Sequence, residues 1–235
     1  SGPFGRTVYQ YAYDGKGHLT EVLRNGRLNE RYVYDQEGRR IEDYLAASGA
    51  DRYFIYGYDG ALIRVDDAYL EWTPAGQLKA VCLHDRRVEY HYGSDTRLDT
   101  AYLPCGTVVR YPYADGLMPV AVFADYEPVF EYVWKDLCKL QRCIDIRNKV
   151  SYDFFHNGSW TPQGVTIQGP ADCIQRLTGV SAPLLQLRIG SDQVGSLRLL
   201  PTIDGIPLKV LEYDAFGNFP GDSRPAWLFP LGLAG

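Results

Sequence analysis

A single methionine stands among 235 residues, and no stretch stays apolar long enough to cross a bilayer. No run rich in Lys and Arg occurs, and the formal net charge is −5, so the electrostatic footprint of a nucleic-acid binder is missing. The opening residues Ser1-Gly-Pro-Phe-Gly5 lack the basic and apolar regions of a signal peptide. Ser1-Gly-Pro3 is expected to be an expression scar, and the abrupt apolar end Pro230-Leu-Gly-Leu-Ala-Gly235 is expected to be a cut inside a longer chain. Cysteines are few and odd in number: Cys82, Cys105, Cys138, Cys143 and Cys173. Their uneven spacing argues against a disulfide framework and for synthesis in a reducing compartment. What the chain has in excess is tyrosine, 19 residues, beside 24 Gly and 14 Pro. That combination suits many short strands separated by many turns.

The tyrosines recur in a pattern. Tyr32-Val-Tyr34-Asp35-Gln-Glu-Gly38-Arg39 places two tyrosines on one face of an extended strand. Asp at the first turn position can bond the backbone ahead of it, and Gly at the fourth tolerates a positive φ. The stretch therefore reads as a β-hairpin. It recurs at Tyr11-Ala-Tyr13-Asp14-Gly-Lys-Gly17 and at Tyr56-Gly-Tyr58-Asp59-Gly60. Less complete copies follow at Tyr69–Leu78, with Trp72 for the second tyrosine, at Tyr90–Leu98 and at Tyr111–Gly116. The second aromatic then falls at 13, 34, 58, 72, 92 and 113, a period near 21 that slips once. Two strands of ordinary length and two turns fill such a period. One hairpin cannot bury its own face, whereas a row of them can.

The pattern weakens over residues 131–186. Val133, Leu137, Leu140 and Ile144 have helical spacing, yet Trp134-Lys-Asp136-Leu-Cys-Lys-Leu140 also stands as a repeat one period after Tyr113. Both readings stay open. Tyr152–Gly158 resembles a hairpin tip, and Pro170–Thr178 before Gly179 predicts a short helix. The repeat style returns at Asp192-Gln-Val-Gly-Ser-Leu-Arg198 and at Tyr213-Asp214-Ala-Phe-Gly217-Asn218.

The Y-x-Y-D-x-x-G-R unit at Tyr32–Arg39 resembles the signature of the Rhs/YD-repeat family. The ordered set Tyr113–Ala121, Asp192–Arg198, Tyr213–Asn218 and Pro230–Gly235 resembles the family's approach to the Rhs-associated core. The resemblance covers residues 1–130 and 187–235, with 131–186 as an insertion expected to project from the sheet. It implies an all-β fold of tandem hairpins in one curved, spiralling antiparallel sheet, with a small, partly helical insertion. It also implies a bacterial shell protein, made in the cytoplasm and secreted or delivered to the cell surface, that encloses a toxic C-terminal domain. The family's self-cleavage site and toxin lie beyond the last motif present, so this resemblance implies a wall segment with no catalytic residue and no cofactor. The implied partners are the remainder of the parent shell and its toxin. Open sheet edges add an expectation of self-association.

Two chemical readings compete with a purely structural one. Tyrosines beside carboxylates can bind glycans, which makes a carbohydrate- or cell-surface-binding module the alternative. Against it, the recurrent turn position of Asp14, Asp35, Asp59 and Asp214, with Gly17, Gly38 and Gly217 behind, suits capping. Cys138, Cys143, His156 and Cys173 have the residue types of a zinc site, but their spacing is not a tight pattern, and their apolar neighbours suit buried thiols. Arg39, Arg97 and Arg198 are expected to pair with Asp or Glu across strands.

Overall fold

The computed structural model describes residues 7–136, 138–192, 195–217 and 221–231. Ser1–Pro3, Leu137, Gln193, Val194, Asn218 and Gly232–Gly235 of the motifs above lie outside the described residues. The described residues are all-β with one short helix, and the chain divides into two compact units, residues 1–89 and 90–235.

The first unit contains β1 (Tyr9–Tyr13), β2 (Leu19–Arg24), β3 (Arg27–Tyr34), β4 (Arg40–Leu45), β5 (Ala50–Tyr56), β6 (Leu62–Val65), β7 (Ala68–Trp72) and β8 (Leu78–Leu83). The division falls inside β9 (Arg86–Tyr92). Each strand pairs antiparallel with the next in the chain.

One turn type closes alternate hairpins. The Asp14 N–H donates to His18 O at 2.9 Å and the Gly17 N–H to Asp14 O at 3.0 Å. The same two bonds recur in the turns that begin at Asp35, Gly57 and Thr73. The fourth turn residue is Gly17, Gly38, Gly60 or Gly76, with φ between 78° and 88°, where a Cβ would clash with the backbone. The turn carries one extra residue and bulges the strand before it. The second aromatic therefore pairs with the residue six ahead: Tyr13 with Leu19, Tyr34 with Arg40, Tyr56 with Leu62 and Trp72 with Leu78.

This register corrects the third repeat. The sequence suggests Tyr56 and Tyr58 as its aromatic pair, but the turn starts at Gly57, whose N–H bonds Ala61 O at 2.8 Å. Tyr58 and Asp59 sit within the turn, where Tyr58 is fully exposed and Asp59 Oδ1 accepts the Ala61 N–H at 3.1 Å. Gly60 decides this, because the positive φ belongs at the fourth turn position. The structural pair is Phe54 and Tyr56.

The first unit buries few side chains, chiefly Val22, Tyr32, Leu45, Phe54 and Ala80. Arginine stems and guanidinium groups cover part of that surface. Arg40 lies 4.5 Å from the Phe54 ring centroid and Arg52 5.8 Å. Arg52 also grips the fully buried Asp43 carboxylate with two bonds of 2.8 Å.

The second unit continues with β10 (Leu98–Tyr102), β11 (Val108–Arg110), β12 (Ala121–Ala124), β13 (Glu127–Lys135), β14 (Lys139–Asp145), β15 (Val150–Phe155) and β16 (Gly164–Gln168), then α1 (Ala171–Thr178) and β17 (Leu184–Arg188). Strands β10 to β17 again pair antiparallel with their chain neighbours. A separate four-stranded sheet follows, β18 (Gly190–Ser191), β19 (Leu197–Pro201), β20 (Pro207–Glu212) and β21 (Gly221–Asp222).

Of the two readings of residues 133–144, the hairpin is the one adopted. Trp134 pairs with Leu140, again six ahead, and Asp136 takes a positive φ of 57° in the turn. Bulky Val133 and Trp134 favour the pleated strand. Residues 131–186 do not project from the sheet. They supply most of β13 and all of β14 to β16, and β17 follows the helix. Helix α1 forms where predicted, with Pro170 at its start and Gly179 at φ 79° closing it through an N–H bond to Gln175 O. Its buried Cys173, Ile174 and Leu177 join Tyr152, Ile167, Leu187, Leu200, Leu211 and Trp227 in the core of this unit.

Candidate functional site: the clasps between repeats

The conspicuous geometry lies where one repeat meets the next. The Tyr34 hydroxyl donates to Leu19 O at 2.8 Å and the Tyr56 hydroxyl to Arg40 O at 2.9 Å. The Trp72 indole N–H donates to Leu62 O at 2.7 Å. In each case the acceptor belongs to the residue that pairs with the preceding repeat's second aromatic. The second unit repeats the arrangement. The Trp134 indole N–H donates to Pro119 O at 2.7 Å, and Pro119 bridges Tyr113 six residues before it. His156 Nε2 then bonds Leu140 O at 2.8 Å, and Leu140 pairs with Trp134. Phenol, indole and imidazole thus fill one structural role, because each combines a flat apolar body with a polar tip.

A second contact reinforces the first. The Asp14 carboxylate accepts the Lys16 and His18 backbone N–H groups and holds the His18 ring at 2.9 Å. That ring stacks on Tyr34 of the next repeat at 4.8 Å. Asp35 accepts the Arg39 N–H at 2.8 Å and its Nε at 2.7 Å, and the Arg39 guanidinium lies 5.1 Å from the Tyr56 ring centroid. Asp95 with Arg97 over Tyr113, and Asp192 with Arg198 over Tyr213, repeat this order in the second unit. The motif therefore has a physical meaning. Asp caps its own turn and fixes the imidazole or guanidinium beside it, and that group covers the next aromatic.

The electrostatics follow the geometry. The His18 backbone N–H and ring hold the Asp14 carboxyl below the usual range. At Asp35 partial desolvation works the other way, and the Arg39 donors outweigh it, so its carboxyl is also lowered. Desolvation raises the Tyr34 and Tyr56 phenols, with nearby Arg40 opposing it. Both oxygens of Asp14 and Asp35 are taken by turn N–H groups and by the His18 ring or the Arg39 guanidinium, a capping arrangement.

The remaining predicted positions divide clearly. Tyr32 is buried and donates to Glu30. Tyr11 and Tyr13 on β1 are exposed. Tyr213, Asp214 and Gly217 form another turn of the same kind, with Asp214 Oδ1 accepting the Phe216 N–H at 2.9 Å and Gly217 at φ 81°. The zinc candidates are dispersed in role. Cys138 is exposed, Cys143 and Cys173 are buried, and His156 is a clasp. Burial, with the Asp145 charge adding to it, pushes the Cys143 thiol up to about 12. Among the described residues no three His, Cys, Asp or Glu side chains are grouped to hold an ion. A shallow groove lies between the first two turns, lined in part by Thr20, Tyr32 and Tyr34, and Lys16 Nζ donates to Gln36 O at 3.0 Å beside it.

Sequence reasoning missed three features. Phe54 is the first aromatic of the third repeat, a role its position two residues before Tyr56 could have revealed. His156 lies 22 residues after Trp134, one period on, which the pattern could have revealed had histidine been admitted as an aromatic. Asp43 has Arg40 three residues before it, 3.4 Å from its carboxylate, but the partner that grips it with two bonds, Arg52, comes from the next strand.

No family model matches the chain. Mouse Teneurin-3 is 26% identical over 240 residues, an alignment that takes in the whole chain and 8% of that protein. Among solved structures, the TcdB2-TccC3 crystal structure aligns over 91% of this chain and 16% of its own, at 12% identity and a TM-score of 0.40. The Photorhabdus luminescens Tc holotoxin pore aligns over 91% and 15%, at 12% identity and a TM-score of 0.37. The chain therefore spans a small fraction of the length of each of these proteins. Among the described residues no helix is long and apolar enough to cross a membrane.

Proposed function

We propose that this chain is a non-catalytic wall segment of an Rhs/YD-repeat shell that encloses and delivers a C-terminal toxin. The carrying observation is the clasp. At each clasp described above an aromatic tip is spent on the backbone of the preceding repeat, an arrangement that builds a wall rather than a cleft. Under this reading residues 1–130 and 187–235 are the family's wall and its approach to the core. Residues 131–186 are an addition that has taken up the same strand pairing. The parent is made in a bacterial cytoplasm and is secreted or presented at the cell surface, and its partners are the rest of the shell and the toxin. Electron microscopy of the intact parent protein tests this. A hollow particle with these strands in its wall is expected, and a solid particle, or strands bathed by solvent on both faces, would overturn it.

A glycan-binding surface is the second reading, favoured by the exposed rings of Tyr11, Tyr13 and Tyr58. Glycan-array binding that disappears in Tyr11→Ala/Tyr13→Ala would support it.

A further inference from the structure

Lys209 is 2% exposed, in a strand whose neighbouring residues Leu208 and Leu211 belong to the core. A buried ammonium is costly unless its charge and its three N–H groups are satisfied. Here its Nζ donates to Asp222 Oδ1 at 2.7 Å, Asp222 Oδ2 at 2.6 Å, Arg224 O at 2.7 Å and Trp227 O at 2.9 Å. All four acceptors lie between residues 222 and 227. The compensation for this buried charge comes from one short segment of chain.

That segment continues across the core. The Trp227 indole N–H donates to the Tyr152 hydroxyl at 3.1 Å. Phe229 meets Tyr152, Phe154 and Trp227 edge-on, with centroids 5.6, 5.9 and 5.7 Å apart. Arg224 Nε donates to Leu208 O at 2.6 Å, and its guanidinium lies against Gly179, where α1 ends. By contrast, the backbone ladder that holds the segment is short. It consists of two residue pairs between β20 and β21 and the Ser223 N–H on Val210 O. Side-chain contacts therefore hold the stretch after Arg224 in place, and such a stretch opens more easily than a laddered strand.

We propose that residues 221–231 are a latched strap over β15, that the Lys209 ammonium is the latch, and that the strap opens as a unit while β14 to β16 stay folded. Closing supplies Lys209 with its acceptors, and opening removes them all together. Opening also bares the apolar faces of Tyr152 and Phe154. The charge on one lysine thus sets how often this surface is uncovered.

Hydrogen exchange of the full chain, followed by mass spectrometry at increasing sub-denaturing urea, tests the proposal. Peptides from 224–231 should exchange through an opening with a smaller urea dependence than those from β14 to β16. Lys209→Met removes the charge at similar volume and should speed strap exchange at least tenfold while β14 to β16 keep their rates. Asp222→Asn, which leaves the ammonium with two carbonyls and a neutral side chain, should act in the same direction. A strap whose urea dependence equals that of β15 would overturn the proposal. So would unchanged strap exchange in Lys209→Met. If that variant does not fold, the urea dependence of the unmodified chain decides alone.

Discussion

A phenol, an indole and an imidazole perform one task in this chain, each donating its tip to a carbonyl of the repeat before it. The tip matters because a hydrogen bond between a partly buried donor and a backbone acceptor contributes about 0.5–1.5 kcal/mol net. Tyr34→Phe removes the hydroxyl and keeps the ring, so it should lower stability by about 1 kcal/mol. Tyr13→Phe, on a ring 61% exposed, should change it by less than about 0.5 kcal/mol. Urea denaturation of the two variants checks the difference. The capping carboxylates set the acid response. Asp14 and Asp35 are held below the usual carboxyl range in the folded chain. Their contribution is therefore complete above the unfolded carboxyl range, about pH 4, and is lost as pH falls through the lower folded values. Asp14→Asn and Asp35→Asn should each flatten the acid arm of the urea midpoint against pH. An unchanged arm would show that other carboxylates govern it.

At the scale of the element, the turn is the unit of the fold. Its fourth position requires a positive φ, and glycine fills it in most copies. Thr96 is an exception at φ 68°, where its N–H bonds Gly93 O at 3.0 Å. A β-branched residue is strained there. Thr96→Gly should therefore raise stability by about 1 kcal/mol. Gly38→Ala should lower it by about 1–2 kcal/mol through the backbone alone. There the new Cβ would also come within 3.0 Å of His18 Nε2, the ring that covers Tyr34. Thermal melts of both variants, with shifts of opposite sign, test the turn assignment. The rule was legible in the sequence wherever Asp and Gly both occur, at Asp14–Gly17 and Asp35–Gly38. It misled at Gly57–Gly60, because two tyrosines two apart were available and only the chain reversal shows which of them lies in the strand.

At the scale of the molecule, repeats that touch only their neighbours should make stability nearly additive. Tyr34 clasps Leu19 and Trp72 clasps Leu62, with no shared partner. The double variant Tyr34→Phe/Trp72→Phe should therefore lose the sum of the single losses to within about 0.5 kcal/mol. A larger coupling energy in that double-mutant cycle would mean that strain travels through the intervening repeat. The helical spacing of residues 133–144 gave no warning that the clasp series would pass through them. The hairpin buries Leu140 but leaves Val133 exposed, and the acceptor that favours it, Pro119 O, lies 15 residues from Trp134.

The sequence alone determined what depends on local backbone chemistry: the tyrosine period, the Asp and Gly turn positions, and the helix between Pro170 and Gly179. Those features rest on φ preference and on bonds between residues a few positions apart. Tertiary structure decided whatever depends on a partner from another repeat. Gly57 became the start of a turn, His156 became a clasp, and residues 131–186 joined the sheet. Lys209 is the extreme case. A lysine between Leu208 and Val210 looks like a surface residue in one dimension. It becomes a buried charge only because Asp222 and two carbonyls of a later segment come within hydrogen-bonding distance of it.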